Sequence, residues 1–207
     1  MHLIPQNDAL WFKDEKGLGT PALYDALVSR DVAAFARLNE RFKLLFPTVR
    51  TIRLHNSSNT QKQLGVTLLD GTEVGPEAMS EGMLYWLAFA ILEYLAPQGI
   101  LLIEEPENGL HPARIAEVMR VLRDISTRTQ IVMATHSPLV INELAPDEVT
   151  IVTRTPERGT ICTPMTATKH FEARSKVYAL GELWLSFADG KLESELVGDD
   201  PGVAKAG

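Results

Sequence analysis

Two short runs in this 207-residue sequence put acid–base groups at the ends of apolar stretches. Ile100-Leu101-Leu102-Ile103 leads directly into Glu104-Glu105, and Ile131-Val132-Met133-Ala134 leads into Thr135-His136-Ser137. An apolar strand ending in acids suits Mg²⁺, because hard cations take carboxylate or water oxygens and usually keep several waters beside substrate phosphates. One acid can hold the hydrated metal while the next positions or deprotonates an attacking water. A histidine at hydrogen-bonding distance can then stabilise a transferring phosphoryl group. Ser80-Glu81-Gly82, ahead of an apolar helix, adds a hydroxyl, a small residue and free backbone amides at a positive helix end, which is a ready anion site. Taken singly, each piece also has a plain structural reading: Ser80 as an N-cap, Glu104 and Glu105 as a solvated strand exit, His136 as a loop residue.

The elements that must carry these groups follow from periodicity. Residues 100–103 and 131–134 are continuous apolar runs, the pattern of strands buried on both faces of a parallel sheet. Between them, residues 112–125 form an amphipathic helix with Ile115, Val118, Met119, Leu122 and Ile125 on one side, and Ser137-Pro138 opens the next helix. Strand, helix, strand, helix with short connections predicts an α/β fold with right-handed crossovers, in which ligands sit beyond the carboxyl ends of the strands. If the two strands are neighbours, two carboxylates and an imidazole converge on one crevice. Residues 83–95 are apolar except for Glu93 and two tyrosine hydroxyls. They fall short of the roughly 18–20 residues a membrane span needs, so they read as a core helix. Tyr85, Trp86 and Phe89 in it read as core, since a base-stacking platform wants exposed aromatics beside basic residues.

Upstream, residues 20–46 read as two helices. Thr20-Pro21 starts the first and Asp31 caps the second, whose Val32, Phe35, Leu38, Phe42 and Leu45 keep helical spacing up to Pro47. Strands are expected at 49–55 and 64–69, joined by the polar residues 56–60, with Asp70-Gly71 turning into 72–74. Downstream, residues 149–155 and 160–165 read as a hairpin turned at 156–159, residues 180–187 as a short helix, and the tail from 189 as frayed.

Three of these pieces, in order, resemble one family. Residues 100–112, Ile-Leu-Leu-Ile-Glu-Glu-Pro-Glu-Asn-Gly-Leu-His-Pro, look like the Walker B strand and D-loop of ABC-type ATPases. The nearest likeness is to the AAA-type ATPases grouped with the RecF, structural-maintenance-of-chromosomes (SMC) and OLD proteins. Ala134-Thr135-His136-Ser137-Pro138 resembles that family's switch-histidine loop, and Met79-Ser80-Glu81-Gly82-Met83 falls where its signature motif lies. The likeness is tight over residues 79–155 and looser over most of the rest. It implies a partial P-loop NTPase fold, ATP as ligand and Mg²⁺ as cofactor. It gives Glu104 the role of organising Mg²⁺ through water, Glu105 that of catalytic base, and His136 a contact to the γ-phosphate. Ser80 and Gly82 would bind the γ-phosphate of a nucleotide held by a second subunit, and Asn108 and His111 would lie in the D-loop at that boundary. Two departures stand out: Glu104 replaces the commoner aspartate, and Glu81 occupies a position where glycine is usual, bringing a carboxylate near a phosphate.

A larger departure is the missing P-loop, whose G-x-x-x-x-G-K-[ST] pattern cradles phosphates with amides and a lysine. The sole Gly-Lys pair, Gly190-Lys191, is followed by Leu192, and Gly17-Leu18-Gly19-Thr20 has no lysine after its second glycine. The expected organisation is an α+β appendage at 1–78, the second lobe of an ABC-type domain at 79–188, and a tail at 189–207. Three arrangements fit: a truncated or split gene product, the signature-bearing half of a complex whose partner holds ATP, or a degenerate relative kept as a protein-interaction module. The first two imply ATP hydrolysis in a head-to-tail homodimer or with a P-loop-bearing partner subunit, and an inactive or weakly active isolated chain.

Composition bounds the alternatives. The chain is 45% hydrophobic and 23% charged, a mix that supports a folded core. Its net charge of −7 argues against a general nucleic-acid coat, so the resemblance alone makes DNA a partner, through local patches. A single cysteine, Cys162, excludes a disulfide framework and fits a reducing compartment, and the first eight residues lack the basic start and apolar run of a signal peptide. A cytoplasmic protein without a membrane segment is expected. A zinc site from His111, His136 and Glu105 would need a tighter constellation than this spacing implies. His136-Ser137 lacks the G-x-S-x-G context of a hydrolase, and Asp199-Asp200 near the end is too little for a fused nuclease of the OLD kind.

Overall fold

The computed structural model describes residues 19–56, 62–155, 159–168 and 171–188. The expected link at 57–60, turn residues 156–158 and the tail from 189 lie outside the described residues. The chain divides into two compact units between Ala134 and Thr135.

The first unit begins with two helices. α1 spans Thr20–Arg30 and α2 spans Val32–Leu45. The cap of α1 is Gly19 at φ 102, one residue ahead of the expected Thr20, and Pro21 sits in the first turn where its missing N–H costs nothing. Asp31 caps α2 as expected, its Oδ1 accepting from the Ala34 N–H at 2.8 Å. Both helices meet α3, Glu81–Leu92, and Tyr24, Leu38, Phe42, Trp86, Leu87 and Ile91 are all buried. The Tyr24 hydroxyl donates to the Leu87 carbonyl at 2.9 Å, and the Phe42 and Trp86 rings lie 5.4 Å apart. Between α2 and α3, strands β1 (Val49–Asn56), β2 (Lys62–Leu68) and β3 (Glu73–Val74) form an antiparallel sheet in that order. The Asp70-Gly71 turn forms as read, with the Thr72 N–H donating to Asp70 Oδ1 at 2.9 Å.

After α3 come β4 (Ile100–Glu104), α4 (Pro112–Ser126) and β5 (Gln130–Ala134). β4 and β5 pair in parallel from Ile100 opposite Gln130 to Glu104 opposite Ala134. Adjacency and direction follow the sequence reading; burial does not. Exposure alternates along both strands, and Ile100, Leu102 and Val132 are 51%, 70% and 48% exposed, while Leu101, Ile103, Ile131 and Met133 are half-buried. Side chains of a strand alternate between faces, and here one face of the pair is left uncovered.

The second unit contains α5 (Pro138–Asn142), β6 (Thr150–Thr155), β7 (Gly159–Pro164), α6 (Phe171–Arg174) and α7 (Leu180–Ala188). β6 and β7 form the expected antiparallel hairpin. Ile141, Val149, Ile151, Met165 and Leu183 make its core, flanked by Leu144, Phe171, Leu180 and Trp184. Ser137 occupies the N-cap position of α5, yet no side-chain cap bond forms; its N–H instead donates to Thr135 Oγ1 at 3.0 Å. α6 has no counterpart in the sequence reading, since four residues carry too little periodicity to register. Among the described residues, no helix is long and apolar enough to cross a membrane.

Candidate functional site

β4 delivers its acids to the carboxyl end of the parallel pair. Glu104 is the last strand residue, level with Ala134 of β5. Glu105 then leaves the strand at φ 46, the single non-glycine residue with positive φ among those described. Its N–H donates to the Ala134 carbonyl at 2.7 Å, and its own carbonyl accepts from the Asn108 N–H at 2.9 Å. One bond ties the acid to the neighbouring strand and the other closes the turn that follows, so the backbone is held from both sides. Left-handed backbone costs a residue with a Cβ roughly 1–2 kcal/mol, and such strain gathers at functional sites. Both acids are exposed, while Pro106 behind them is buried. Among the described residues no three His, Cys, Asp or Glu side chains gather as a metal cluster. Mg²⁺, which keeps most of its waters and takes one or two carboxylates, fits a solvent-facing Glu104 beside Glu105.

The loop after Glu105 returns to the start of α3. Ser80 is the N-cap of that helix, its Oγ accepting from the Met83 N–H at 3.3 Å. Gly82 is buried, and a Cβ there would lie 3.2 Å from the Gly109 carbonyl oxygen and 3.8 Å from Arg114 Nη1. Gly109 has φ 71, and a Cβ on it would meet Tyr85 Cε2 at 2.7 Å. The two glycines thus allow the loop to lie directly on the helix, bringing Ser80, Gly82 and the Asn108-Gly109 turn together. Tyr85 does not belong to the core, contrary to the sequence reading: it is 41% exposed, and its ring lies against Gly109. Asn108 is exposed, and His111 caps α4, its Nδ1 accepting from the Ala113 N–H at 3.2 Å. In the second unit His136 is exposed, its ring centroid 6.4 Å from that of Trp184.

Sequence reasoning missed three arginines that position these elements. Arg114 stacks its guanidinium 4.1 Å above the Phe46 ring and donates from Nη2 to the Leu45 carbonyl at 3.1 Å. Its place in the first turn of α4, where the helix dipole disfavours a cation, was the available signal. Arg41 of α2 donates from Nη1 to both carboxylate oxygens of Glu93, at 2.9 and 2.7 Å, and from Nη2 to Glu117 of α4 at 3.0 Å. Glu93 is 9% exposed, and a lone acid in an apolar helix must find a cation when buried. Burial pushes the Glu117 carboxyl up, but hydrogen bonds from Arg120 and Arg41 outweigh it and hold the group below its usual range. Arg128 closes the far end of α3, donating to the Leu95 carbonyl at 3.0 Å and the Leu92 carbonyl at 3.2 Å; its burial lowers the guanidinium's pKa.

With this geometry in place, relatives can be compared. Residues 4–142 match the family described as "AAA domain, putative AbiEii toxin, Type IV TA system". That is more than half of the chain, and the chain belongs to this family. No curated protein matches it. Among solved structures, an SMC head bound to the C-terminal winged-helix domain of ScpA is similar with 17% identity and a TM-score of 0.53, over 77% of this chain and 51% of that one. A Pyrococcus yayanosii Smc head with a coiled coil and joint gives 17% and 0.53, over 79% of this chain and 30% of that one. The Pyrococcus furiosus Smc head bound to the C-terminal domain of ScpA gives 18% and 0.51, over 78% and 40%. At such identities the likeness concerns the fold, and the chain spans about half or less of these heads' own length. The chain is thus a member of an AAA-domain family, and its fold is similar to part of the SMC head fold.

Proposed function

We propose that this chain supplies the signature, Walker B and switch segments of an ABC-type ATPase, residues 79–188 forming the working lobe and the preceding helices and sheet its support. It hydrolyses ATP together with a partner that carries the P-loop. The observation that carries this reading is Glu105: an acid after a parallel strand, in left-handed backbone, pinned to the adjacent strand by a 2.7 Å hydrogen bond. Glu104 would hold Mg²⁺, which would supply charge neutralisation on the phosphates. The Glu105 carboxylate orients the attacking water and accepts its proton as the water oxygen bonds to the γ-phosphorus. The bond from that phosphorus to the β–γ bridging oxygen breaks, releasing ADP and phosphate. His136 donates to a γ-phosphate oxygen in the switch role that the family resemblance assigns it. Ser80, with the free amides of the first turn of α3, faces the γ-phosphate of a nucleotide held by the partner, and Gly82 lets the Asn108–His111 loop reach the same boundary.

Glu105→Gln is the decisive variant. In the complex of the chain with its partner it abolishes turnover and leaves ATP bound; hydrolysis at the parental rate would remove Glu105 from the base position. The absence of G-x-x-x-x-G-K-[ST] from these residues favours a second reading, a non-catalytic interaction module. That reading requires that ATP and Mg²⁺ leave the purified chain's thermal stability unchanged. Saturable stabilisation counts against it, because a ligand bound to the native state must stabilise that state.

A further inference from the structure

In the second unit, α7 is built to sit on α5. Leu180, Leu183 and Trp184 keep the three-and-four spacing of one helical face. Leu183 is buried in the core with Ile141, Val149, Ile151 and Met165, while Leu180 and Trp184 flank it. Gly181 meets α5 directly: it is buried, and a Cβ there would run into the Pro138 carbonyl oxygen. Its N–H donates to Asn142 Oδ1 at 2.7 Å, so the first turn of α7 is fastened to the last residue of α5. The Glu182 carboxylate accepts from the Ala179 N–H at 3.1 Å and closes the same helix end.

That seating brings Trp184 to His136. The histidine lies two residues before α5 and is exposed, and among the described residues no hydrogen bond orients its imidazole. The group that meets it is the Trp184 ring, 6.4 Å away centroid to centroid with the planes at 51°, within the range of aromatic pairs. An exposed side chain without a hydrogen bond loses rotamer freedom when it must address one oxygen atom, and a rigid wall on one side lowers that cost. The indole can be that wall because it is half-buried against the core and so is ordered from beneath. Packing alone would be served by a leucine, which offers the histidine no flat ring.

We infer that Trp184 is a positioning residue for His136, carried into place by α7 on α5. The role of the imidazole rests on the proposed ATPase reading; its placement by the indole does not. Placement is tested on the full chain alone, by NMR with histidine-selective ¹³C labelling, His136→Gln identifying the signals of His136. In the parent its ring protons carry the ring-current displacement of a nearby indole. Trp184→Leu, which keeps apolar bulk beside the core, abolishes that displacement, and Trp184→Phe retains most of it. A displacement that survives Trp184→Leu overturns the inference. Consequence is tested by ATP turnover in the hydrolysing complex. Trp184→Leu lowers kcat about tenfold to a hundredfold, the loss expected when a reacting group is misplaced, and leaves KM for ATP within about twofold. Trp184→Phe restores most of kcat. In a His136→Ala background Trp184→Leu changes kcat by less than about twofold, because the group it positions is gone. An equal loss with and without His136 marks a merely structural role and overturns the inference. Failure of the catalytic reading is recognised separately: parental hydrolysis by Glu105→Gln leaves the His136 displacement, and its loss in Trp184→Leu, as they were.

Discussion

Glu105 keeps a carboxylate where glycine would meet no steric cost, and a residue under local strain should show it in opposite effects on stability and activity. Glu105→Gly relieves a left-handed backbone at φ 46 and should raise the unfolding free energy of the first unit by up to about 1 kcal/mol, less the extra entropy glycine gives the unfolded chain. Denaturant unfolding measures this; a loss of stability would show that the conformation carries no strain. Glu105→Gln keeps the Cβ and should leave stability within about 0.5 kcal/mol of the parent. Gly109 presents the reverse case. Its φ of 71 and the 2.7 Å approach of a Cβ to the Tyr85 ring make Gly109→Ala costly, by about 1–3 kcal/mol. Tyr85→Ala in the same chain should recover the steric part but not the conformational part, so the double variant falls short of additivity. Strict additivity in a double-mutant cycle would mean the ring does not support the loop.

At the scale of elements, α3 is fastened at both ends. Ser80 and the Gly82–Gly109 approach hold its start; Arg128 and the Arg41–Glu93 bond hold its end. Arg41 also reaches α4 through Glu117, so one guanidinium joins three helices. Removing it leaves Glu93 buried without its cation, and Arg41→Met should cost about 2–4 kcal/mol, somewhat less than for a fully buried pair because the arginine is 23% exposed. The same network sets a pH dependence. Glu117 has a folded-state pKa below its ordinary 4.5, so the folded state binds fewer protons in mild acid than the unfolded state does. Its contribution is present in full above the ordinary value and is lost as pH falls through the depressed one. Unfolding free energy measured from neutrality down to acid should therefore decline more steeply in the parent than in Arg41→Met. Equal acid slopes would place the low Glu117 pKa elsewhere, in Arg120 alone.

For the whole molecule, the family is an AAA-domain one, the fold is similar to part of an SMC head, and the P-loop pattern is what these residues lack. The chain by itself should hydrolyse ATP at background rate, and the P-loop-bearing partner should raise turnover by about 10³-fold or more, since phosphate-binding amides and lysine carry much of the electrostatic stabilisation. Turnover by the purified chain alone would show that its own residues suffice to hold the phosphates. Much of this fold was legible beforehand because its signals are local. The capping Asp31, the stripe on α4, the turn at Asp70-Gly71 and the strand ending in Glu104-Glu105 depend on near neighbours in sequence, and all lie where periodicity and residue type put them. The sequence by itself determined the order of elements and which residues end them, because helix and strand periods are properties of consecutive residues. Tertiary structure alone decided that Glu105 turns left-handed against Ala134, that Tyr85 props a loop, that Glu93 finds Arg41, and that one face of β4 and β5 is open. Each of those depends on groups far apart along the chain, which composition and spacing do not encode and which only packing brings within a few ångströms of one another.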